Sequence, residues 1–518
     1  MEFKNINKNI LIWCVIVFLL GLVLRIYTLA LKQDLHEDEA LNVLLSNYSE
    51  TGWTTLPKTN KTFTGKDLKH MVYWNNASFK DTLSDIKNLY IYTRDDVHTN
   101  LYYTLTRIAF NGVGEFNIKS TIIRGGILNL IIYTISFFFM FKLLAILFKD
   151  KNELIPFGLF TAFLNTASIS NTCYLRPYIL QESAFILVTY YFVKLLLKEK
   201  INPYTTALSI AFAFLTGYYS IIYIGILALV LFIKNTDKKL LLKTAILSTV
   251  FTELCYPMYF LGIISYRATE SIERANDFFK NLYYSGINFP LIYLKYLFSL
   301  SLLIYLFYIG IKAYKNSLTE KSNEKLIPLI FWLNFLWTGL IIFLAPYKIL
   351  RYIMPAFPIL SLIIPYIISR IKKQTAPIII ITSIFLLNYS FAVMFHKNSD
   401  IGKYIPVITR LDFLKNRQVD KFLYEENENQ NVYILKEQEN PTMGEILKIS
   451  EILPYFKDKQ TYIFINPNTK IETKRFYMLI PKNPVENFFK LAKPYYENYT
   501  RVNMQNCSNS YACLEFEQ

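Results

Sequence analysis

The chain has 518 residues, of which 53% are hydrophobic and 17% aromatic, with a mean hydropathy of +0.26 and a net charge of +16. Its apolar residues form blocks of roughly 18 to 25, the length of a membrane-crossing helix, and continuous runs such as Ile127 to Phe148 lack the alternation of barrel strands. In a membrane protein the Lys and Arg residues are considered first by their position relative to these blocks, so the net charge does not by itself indicate a nucleic-acid partner. A mainly α, polytopic membrane protein that contacts the lipid bilayer is predicted.

About eleven transmembrane helices are expected from the apolar blocks. In chain order they cover Ile10 to Leu31, Ile122 to Phe148, Leu154 to Ile169, Ile179 to Leu197, Thr205 to Thr216, Ser220 to Ile233, Leu240 to Ile264, Pro290 to Ile311, Leu326 to Leu344, Tyr352 to Ile368 and Pro377 to Phe395. The first block is long and has no small-residue cleavage site at its end, so it is predicted to remain as an anchor.

Basic residues predict the orientation of these helices. If the connections alternate from the amino terminus, one side receives Lys4 and Lys8, Lys149 and Lys151, Lys198 and Lys200, Lys234, Lys238 and Lys239, Lys315, Lys321 and Lys325, and Arg370, Lys372 and Lys373. That side is predicted to be cytoplasmic, as in a bacterial inner membrane protein. The amino terminus is then cytoplasmic, and an odd number of spans places the carboxyl terminus in the periplasm.

The long segments all fall on the predicted periplasmic side. They divide the chain into a transmembrane domain of residues 1–395, which includes a large first periplasmic loop of residues 32–121, and a small α/β domain of residues 396–518. In the second domain, strands are predicted at Asn431 to Leu435, Thr461 to Ile465 and Phe476 to Ile480, with a helix from Met443 to Phe456. Cys507 and Cys513 lie close together there, and either a disulfide or two free thiols fits their spacing.

Two polar clusters in the first periplasmic loop are candidates for chemistry. The first is His36-Glu-Asp-Glu-Ala40, where a carboxylate could act as a general base for an attacking hydroxyl, or could simply be solvated. The second is Arg94-Asp-Asp-Val-His98, followed by Leu101-Tyr-Tyr103. No zinc-type constellation of His and Cys is present, and no cofactor is certain. A carboxylate-bound divalent cation is left open.

Cations at the predicted outer ends of spans form a third set of candidates. An arginine near hydrocarbon is costly unless it is paired, so such residues are either functional or interfacial anchors. A guanidinium can bind phosphate oxygens in bidentate fashion and stabilise charge on a leaving group. The set comprises Arg25, Arg124, Arg176, Lys348 and Arg351.

These residues lie in motifs that resemble bacterial family 39 glycosyltransferases of the GT-C superfamily, which includes protein O-mannosyltransferases and lipid A aminoarabinose transferases. The motifs, which span roughly residues 10 to 370, are Leu24-Arg-Ile26, Asp38-Glu-Ala40, Asp96-Val-His98, Leu101-Tyr-Tyr103, Ile123-Arg124, Leu175-Arg-Pro-Tyr178, and Arg351-Tyr-Ile-Met-Pro355 with Pro358. The resemblance implies a GT-C type bundle and transfer, with inversion, from a polyprenyl phosphate sugar donor to a glycan, lipid or protein acceptor.

The resemblance also implies roles for single residues. Asp38 would be the general base and Glu39 would help to position the acceptor. Asp96 and His98 would form a second polar wall, while Arg176 and Arg351 would hold the lipid phosphate. Further substrate contacts are expected from Tyr102, Tyr178 and Lys348. The sequence departs from the family at Thr99-Asn100, where prolines usually follow the histidine, and this departure is expected to loosen the turn.

Two other functions fit a many-spanned protein. An O-antigen-ligase-like transferase also has outward-facing arginines, but its large loop lies late in the chain, whereas here it follows the first span. A transporter or lipid flippase would be expected to place charges near the middle of the bilayer. The charged candidates here lie at one face, with Glu253 as the main exception.

Overall fold

The structure is a computed structural model of the chain. It describes residues 6–32, 35–47, 61–73, 77–93, 98–114, 117–234, 236–264, 277–283, 322–345, 350–371, 373–397, 431–436, 448–449, 452–467, 469–482, 485–506 and 511–518. The chain forms two compact units. We call them the membrane unit (Met1–Leu31, Asp95–Tyr102 and Gly126–Leu414) and the α/β unit (Lys32–Arg94, Tyr103–Gly125 and Lys415–Gln518).

Most of the described residues are helical. The helices are α1 (Lys8–Leu31), α2 (Glu37–Ser46), α3 (Gly65–Tyr73), α4 (Phe79–Ile91), α5 (Leu101–Ala109), α6 (Ile118–Leu147), α7 (Ile155–Phe163), α8 (Thr166–Cys173), α9 (Tyr178–Leu196), α10 (Pro203–Thr216), α11 (Ser220–Ile233), α12 (Lys238–Cys255), α13 (Tyr259–Gly262), α14 (Phe278–Tyr283), α15 (Leu326–Leu344), α16 (Phe357–Leu360), α17 (Ile363–Ile368), α18 (Thr375–Lys397) and α19 (Val485–Asn498). The strands are β1 (Thr62–Thr64), β2 (Val432–Leu435), β3 (Thr461–Ile465), β4 (Arg475–Pro481), β5 (Thr500–Asn506) and β6 (Tyr511–Glu517).

The membrane unit contains helices that are long and apolar enough to cross a bilayer. Among the described residues these are α1, α6, α9 and the segment Asn323–Leu344, and shorter apolar helices are α10, α11, Met354–Ile368 and Thr375–Ser390. Several of these helices expose large apolar side chains, as Trp13 does on α1 and Leu229 on α11, which is the surface that lipid would cover. The protein is therefore a multi-pass membrane protein, as predicted. The predicted span Pro290 to Ile311 lies outside the described residues.

Three predicted spans are broken in the structure. One is Leu240 to Ile264, where α12 ends at Cys255 and α13 begins at Tyr259. The continuous helix predicted from Leu154 to Ile169 is wrong, because α7 ends at Phe163 and a new helix, α8, begins at Thr166. Asn165 causes this break, since its side-chain oxygen accepts a hydrogen bond from the backbone of Ser168 at 2.8 Å and so caps α8. The span from Tyr352 to Ile368 is likewise divided into short helical pieces, in a stretch that contains several prolines.

At one end of the membrane unit, several connections between helices contact each other. These connections were predicted to lie on the same side of the membrane. The buried carboxylate of Glu324 accepts a hydrogen bond from Lys151 Nζ at 3.2 Å and from Ser369 Oγ at 3.0 Å, and it lies 3.4 Å from Arg370 Nη2. The connections before α7, before α15 and after α17 therefore meet. Their common side agrees with the alternation of basic residues, while its assignment to the cytoplasm stays a prediction.

The α/β unit is built on a six-stranded sheet with the order β1-β3-β2-β4-β6-β5. Strand β2 is parallel to β3 and β4, and the other pairs are antiparallel. A small carboxyl-terminal sheet domain with the predicted strands β2, β3 and β4 is confirmed, while its bounds at residues 396–518 stay a prediction. Strands β5 and β6 were not predicted. The predicted helix from Met443 to Phe456 lies partly outside the described residues, and its described part ends in a 3-10 turn at Leu453–Tyr455.

The edge strand β1 comes from the loop of residues 32–121, which was predicted to be periplasmic, and it lies about 400 residues before its partner β3 in sequence. Immediately after it, Gly65 lies so close to the carbonyl oxygen of Lys457 that a β-carbon at this position would collide with it. The backbone N–H of Gly65 donates to Gln460 O at 3.0 Å. The loop and the carboxyl-terminal strands thus fold together in one unit, an arrangement that the sequence did not predict.

Cys513 on β6 is disulfide-bonded, while Cys507 lies outside the described residues. Cys14, Cys173 and Cys255 are not in disulfides. A disulfide in the α/β unit fits an oxidising compartment.

Candidate active site

The predicted catalytic carboxylates lie at the start of α2. His36 is the N-cap, and its Nδ1 atom accepts a hydrogen bond from the backbone of Asp38 at 3.2 Å. Glu39 closes the other half of this capping box, because its Oε2 atom accepts from the backbone N–H of His36 at 2.8 Å. Helix starts attract acidic residues, so the cluster has a structural cause as well as a possible chemical use.

Asp38 and Glu39 differ sharply in their surroundings. The carboxylate of Glu39 is completely buried and forms an ion pair with the buried Lys32. Asp38 is partly exposed, with its Oδ2 atom 3.4 Å from Nδ1 of His36. A carboxylate that must take a proton from a substrate needs access to it. Of the two carboxylates, Asp38 is therefore the accessible one, while Glu39 closes the start of the helix.

Arg176 lies in the membrane unit, in the short turn between α8 and α9. Its side chain is almost fully buried, and its Nη2 atom lies 3.2 Å from Nε2 of His98. The backbone of the turn is tight, since Arg176 N donates to Tyr174 O at 2.8 Å. The structure thus brings together His98 and Arg176, two candidates that are 78 residues apart in sequence.

The two residues after His98 hold its segment in place. Thr99 Oγ1 donates to the carbonyl of Leu215 at 2.6 Å, and Asn100 Nδ2 donates to that of Cys255 at 3.0 Å. These carbonyls belong to the ends of α10 and α12, where helices leave acceptors unsatisfied. The loosened turn that was expected from the absent prolines is therefore wrong, because side-chain hydrogen bonds fix this segment instead.

Arg351 comes from an element that packs near the same turn. It lies in the 3-10 turn Leu350–Tyr352, with its guanidinium carbon 5.4 Å from the centre of the Tyr352 ring. The next turn, Met354–Ala356, is buried and contacts both α8 and α9, the helices on either side of Arg176. Arg176 and Arg351 thus come from neighbouring elements of the membrane unit.

The two tyrosines that were predicted to bind substrate make contacts within the membrane unit. Tyr102 is buried, and its hydroxyl donates to Asn129 Oδ1 at 2.8 Å. Asn129 Nδ2 in turn donates to the carbonyls of Thr172 and Tyr174 at 2.9 and 3.1 Å. Tyr178 is buried at the start of α9 and stacks on Tyr174. These contacts favour support of the Arg176 turn over direct substrate binding by Tyr102.

Two of the predicted outer cations have structural partners. Arg124 Nη1 donates to the carbonyls of Ala109 and Asn111 at 3.2 and 3.1 Å, which caps the end of α5. Arg25 is fully buried and hydrogen-bonded within the membrane unit. The sequence did not single out Glu182, which is also fully buried on α9. Its signal was the polar stretch Gln181-Glu-Ser183 inside an apolar span.

Two candidates, Asp96 and Lys348, lie outside the described residues. Within the part of the chain that the structure describes, no group of three or more His, Cys, Asp or Glu side chains could hold a metal ion. A divalent cation therefore stays untested.

An apolar cavity of about 770 Å³ lies in the membrane unit between α9, α10, α11 and α12. Its volume is within the range of about 300 to 1,000 Å³ that ligand sites occupy. Four hydroxyl groups in its wall donate to carbonyls of their own helices, so the wall presents mainly carbon to the cavity. They belong to Thr206, Ser209, Ser248 and Thr249.

The apolar helices define a multi-pass membrane protein, and its fold is the GT-C fold of the solved structure to which it is similar. The chain is similar in structure to ArnT from Cupriavidus metallidurans bound to undecaprenyl phosphate, with a TM-score of 0.53 and 10% sequence identity over 97% of each chain. The apo state of ArnT from the same organism aligns over the same shares with 10% identity and a TM-score of 0.49. No protein-family model and no curated protein matches the sequence.

Proposed function

We propose that the protein is an integral membrane glycosyltransferase that transfers a sugar from a polyprenyl phosphate donor to an acceptor at the periplasmic face, with inversion. The observation that carries this proposal is the shared fold with ArnT bound to undecaprenyl phosphate, which extends over 97% of both chains. The buried cation at Arg176, with Arg351 on a neighbouring element, supports a phosphate-binding role for the membrane unit.

In this proposal Asp38 takes the proton from an acceptor hydroxyl as that oxygen attacks the anomeric carbon of the sugar. The bond between the anomeric carbon and the phosphate oxygen breaks, and the polyprenyl phosphate leaves with the bonding electron pair. Arg176 and Arg351 stabilise the negative charge that develops on the phosphate, which is greater in the transition state than in the donor. Their contribution therefore falls mainly on turnover.

The apolar cavity supports a lipid-linked donor. Its wall includes Phe214, which directly precedes Leu215, the residue whose carbonyl binds Thr99 next to His98. An isoprenoid chain is hydrocarbon, so it would make apolar contacts with the wall of the cavity. Water would find few hydrogen-bond partners there. The cavity would hold one part of the prenyl chain while its phosphate is bound at Arg176.

A transporter is the second function that an observation favours, because Arg25 and Glu182 are both buried in the membrane unit. Both residues, however, are hydrogen-bonded to Ser168, and neither lines the apolar cavity. This arrangement is more typical of a structural network than of an ion path. Sugar transfer distinguishes the two functions directly.

The test is transfer of radiolabelled sugar from synthetic polyprenyl phosphate donors to extracted lipid, glycan and protein fractions, with purified protein in detergent. Asp38→Asn should lower turnover by about 10²- to 10⁴-fold at unchanged abundance, because the amide keeps the shape but cannot take the proton. Glu39→Gln should mainly lower the unfolding temperature, since it leaves the buried Lys32 without its carboxylate. Absence of transfer from every donor by the wild-type protein would contradict the proposed function.

The phosphate site is tested by replacing each arginine with lysine. Lysine keeps the charge but loses the bidentate fork, so Arg176→Lys and Arg351→Lys should each raise the barrier to transfer by about 2 to 4 kcal/mol. Arg124→Lys is the matched control, because its partners are backbone carbonyls at the end of α5, and it should leave turnover unchanged. Normal turnover with reduced abundance in Arg351→Ala would identify Arg351 as an anchor.

The orientation of the membrane unit forms part of the proposal. The distribution of Lys and Arg favours a cytoplasmic amino terminus and a periplasmic carboxyl terminus. A reporter that is active only in the periplasm, fused after Gln518, should then be active. Activity of a cytoplasmic reporter at the same position would mean that the number of spans is even.

A further inference from the structure

The turn that carries Arg176 is held by a buried polar network behind it, which reaches α1, α6, α8 and α9. We propose that Arg25 on α1 is a positioning residue for Arg176, acting through α8. The inference rests on the proposed function, in which Arg176 binds the donor phosphate. It gives a role to the buried charges Arg25 and Glu182, neither of which takes part in the proposed transfer step.

Arg25 holds α8 from one side. Its Nε atom donates to Thr172 Oγ1 at 2.9 Å, and its Nη2 atom donates to Ser168 Oγ at 3.0 Å. Its other hydrogen bonds go to the backbone carbonyls of Phe163 and Gly21, at 3.0 and 3.1 Å. The guanidinium thus joins α1 to both ends of α8. Its Nε, Nη1 and Nη2 atoms donate in three different directions, which the planar guanidinium of arginine allows and the single ammonium of lysine does not.

The guanidinium is also fixed from above by an aromatic ring. Its central carbon lies 3.9 Å from the centre of the Tyr133 ring on α6. Gly21 permits this close approach, because a β-carbon there would collide with the Tyr133 hydroxyl. Cation–π contact and four hydrogen bonds together leave Arg25 one conformation in a fully buried site.

Glu182 holds α8 from the other side. Its Oε1 atom accepts a hydrogen bond from Ser168 Oγ at 2.8 Å, and its Oε2 atom accepts from Asn171 Nδ2 at 2.9 Å. Ser168 therefore accepts from Arg25 and donates to Glu182, so one hydroxyl links the two opposite charges. Removing either charge would leave the other uncompensated in a buried site, which makes the network cooperative.

The end of α8 transmits this fixed position to Arg176. Asn129 binds the carbonyls of Thr172 and Tyr174, which lie at the end of α8 and in the turn. Thr172 is at the same time the residue whose hydroxyl accepts from Arg25. The turn therefore continues directly from a residue that Arg25 holds, and Arg176 follows four residues later. Small displacements of a charged group relative to a transition state reduce rates strongly.

A purely structural role for Arg25 makes a different prediction from a positioning role. A structural residue lowers stability and affects turnover equally whatever stands at position 176. A positioning residue that acts through Arg176 loses its effect on turnover once Arg176 has been removed. A double-mutant cycle on turnover therefore separates the two roles.

The experiment compares Arg25→Lys in two backgrounds, with sugar transfer measured as kcat and donor KM. With Arg176 present, Arg25→Lys should lower kcat by about ten- to a hundred-fold, because lysine cannot reach all the acceptors of the fork, while donor KM should change little. In the Arg176→Ala background the same change should lower kcat by less than about two-fold. Equal losses in both backgrounds would overturn the positioning role.

Thr28→Val is the matched control for this cycle. Thr28 lies one turn further along α1, is equally buried, and its hydroxyl is 2.8 Å from that of Tyr389 on α18. The variant removes a buried polar contact of α1 that does not involve a hydrogen bond to α8. It should lower the unfolding temperature without lowering kcat. If Arg25→Lys yields too little folded protein, Ser168→Ala, which removes only the linking hydroxyl, should show the same pattern with a smaller loss.

Hydrogen exchange tests the inference without relying on transfer. In Arg25→Lys, amides of residues 172–178 should exchange at least about ten-fold faster than in the wild type, while Thr28→Val should leave them unchanged. Unchanged exchange of this segment in Arg25→Lys would overturn the inference whether or not the protein transfers sugar. If only the proposed function is wrong, the wild-type protein would transfer no sugar, but Arg25→Lys would still show the faster exchange.

Discussion

Arg25 in the membrane unit and Arg107 in the α/β unit are both buried, but they have different partners. In the membrane unit, Arg25 contacts neutral hydroxyl and carbonyl oxygens, and the carboxylate of Glu182 is reached only through Ser168. In the α/β unit, Arg107 contacts a carboxylate directly, because its Nε atom donates to Asp85 Oδ2 at 2.7 Å. Lys32 and Glu39 form a second direct pair in that unit.

The difference follows from what each pair connects. A direct ion pair joins two side chains, and Lys32 with Glu39 thereby fixes the start of one helix. A guanidinium surrounded by neutral acceptors joins several backbone segments at once, which suits a site where a turn must be held. Substitutions in the α/β unit test how much each kind of contact contributes to stability.

The first prediction concerns the buried pair of Arg107 and Asp85. Arg107→Met should lower the free energy of unfolding of the α/β unit by about 3 to 5 kcal/mol, because it leaves a buried carboxylate without its cation. The double variant Arg107→Met with Asp85→Leu should recover most of this loss. Unfolding by denaturant in detergent, with proteolysis as the detection method, measures the free energy of unfolding of both variants. A double variant as unstable as the single one would show that the charge is not the cause.

The second prediction concerns the junction of β1 and β3. Gly65→Val should destabilise the α/β unit by about 2 to 4 kcal/mol, because the new side chain cannot fit against the Lys457 carbonyl. Amide exchange of Thr461–Ile465 should become faster. Gly114→Ala is the control, since a β-carbon there meets no atom within 4 Å. Equal exchange in the two variants would argue against this junction.

The third prediction concerns an exposed pair in the same unit. Lys69 Nζ lies 2.8 Å from Asp458 Oδ1, but the Asp458 side chain is 57% exposed. Lys69→Ala should therefore change the free energy of unfolding by less than about 1 kcal/mol. Unfolding curves at low and high salt check this, and a loss as large as that of Arg107→Met would contradict the distinction between exposed and buried pairs.

The fourth prediction concerns pH. The Thr64 hydroxyl, and then its backbone N–H, donate to Asp67 and lower the pKa of its carboxyl below the ordinary 3.8. Because the pKa is lower in the folded protein, the stabilisation is present above the unfolded pKa and is lost as the pH falls through the folded pKa. Thr64→Val should reduce this acid-dependent loss by less than about 1 kcal/mol, since Asp67 is largely exposed. Unfolding free energies measured from neutral pH down to about pH 3 check it. An unchanged pH dependence would exclude the hydroxyl as the cause.

Local patterns in the sequence determined the class of the protein. The apolar blocks predict membrane helices because the free energy of transfer of a side chain into lipid depends mainly on the type of that side chain. Lysines and arginines predicted which connections share an end, and Lys151 and Arg370 do meet there around Glu324. Alternating apolar residues predicted β2, β3 and β4. The motifs at His98 and Arg176 named two residues that the structure brings together.

Only the tertiary structure decided which of the charged residues are enclosed by other side chains and which are accessible. Arg25, a candidate for an outer phosphate site, is buried against residues of α8 that lie about 140 to 150 positions away. Glu39 is enclosed by Lys32, whereas Asp38 beside it is partly exposed. Strand β1 is too short to be recognised by itself and exists because β3, from the other end of the chain, supplies its hydrogen bonds. Such partners are joined by folding and not by proximity in sequence, so no local pattern contains them.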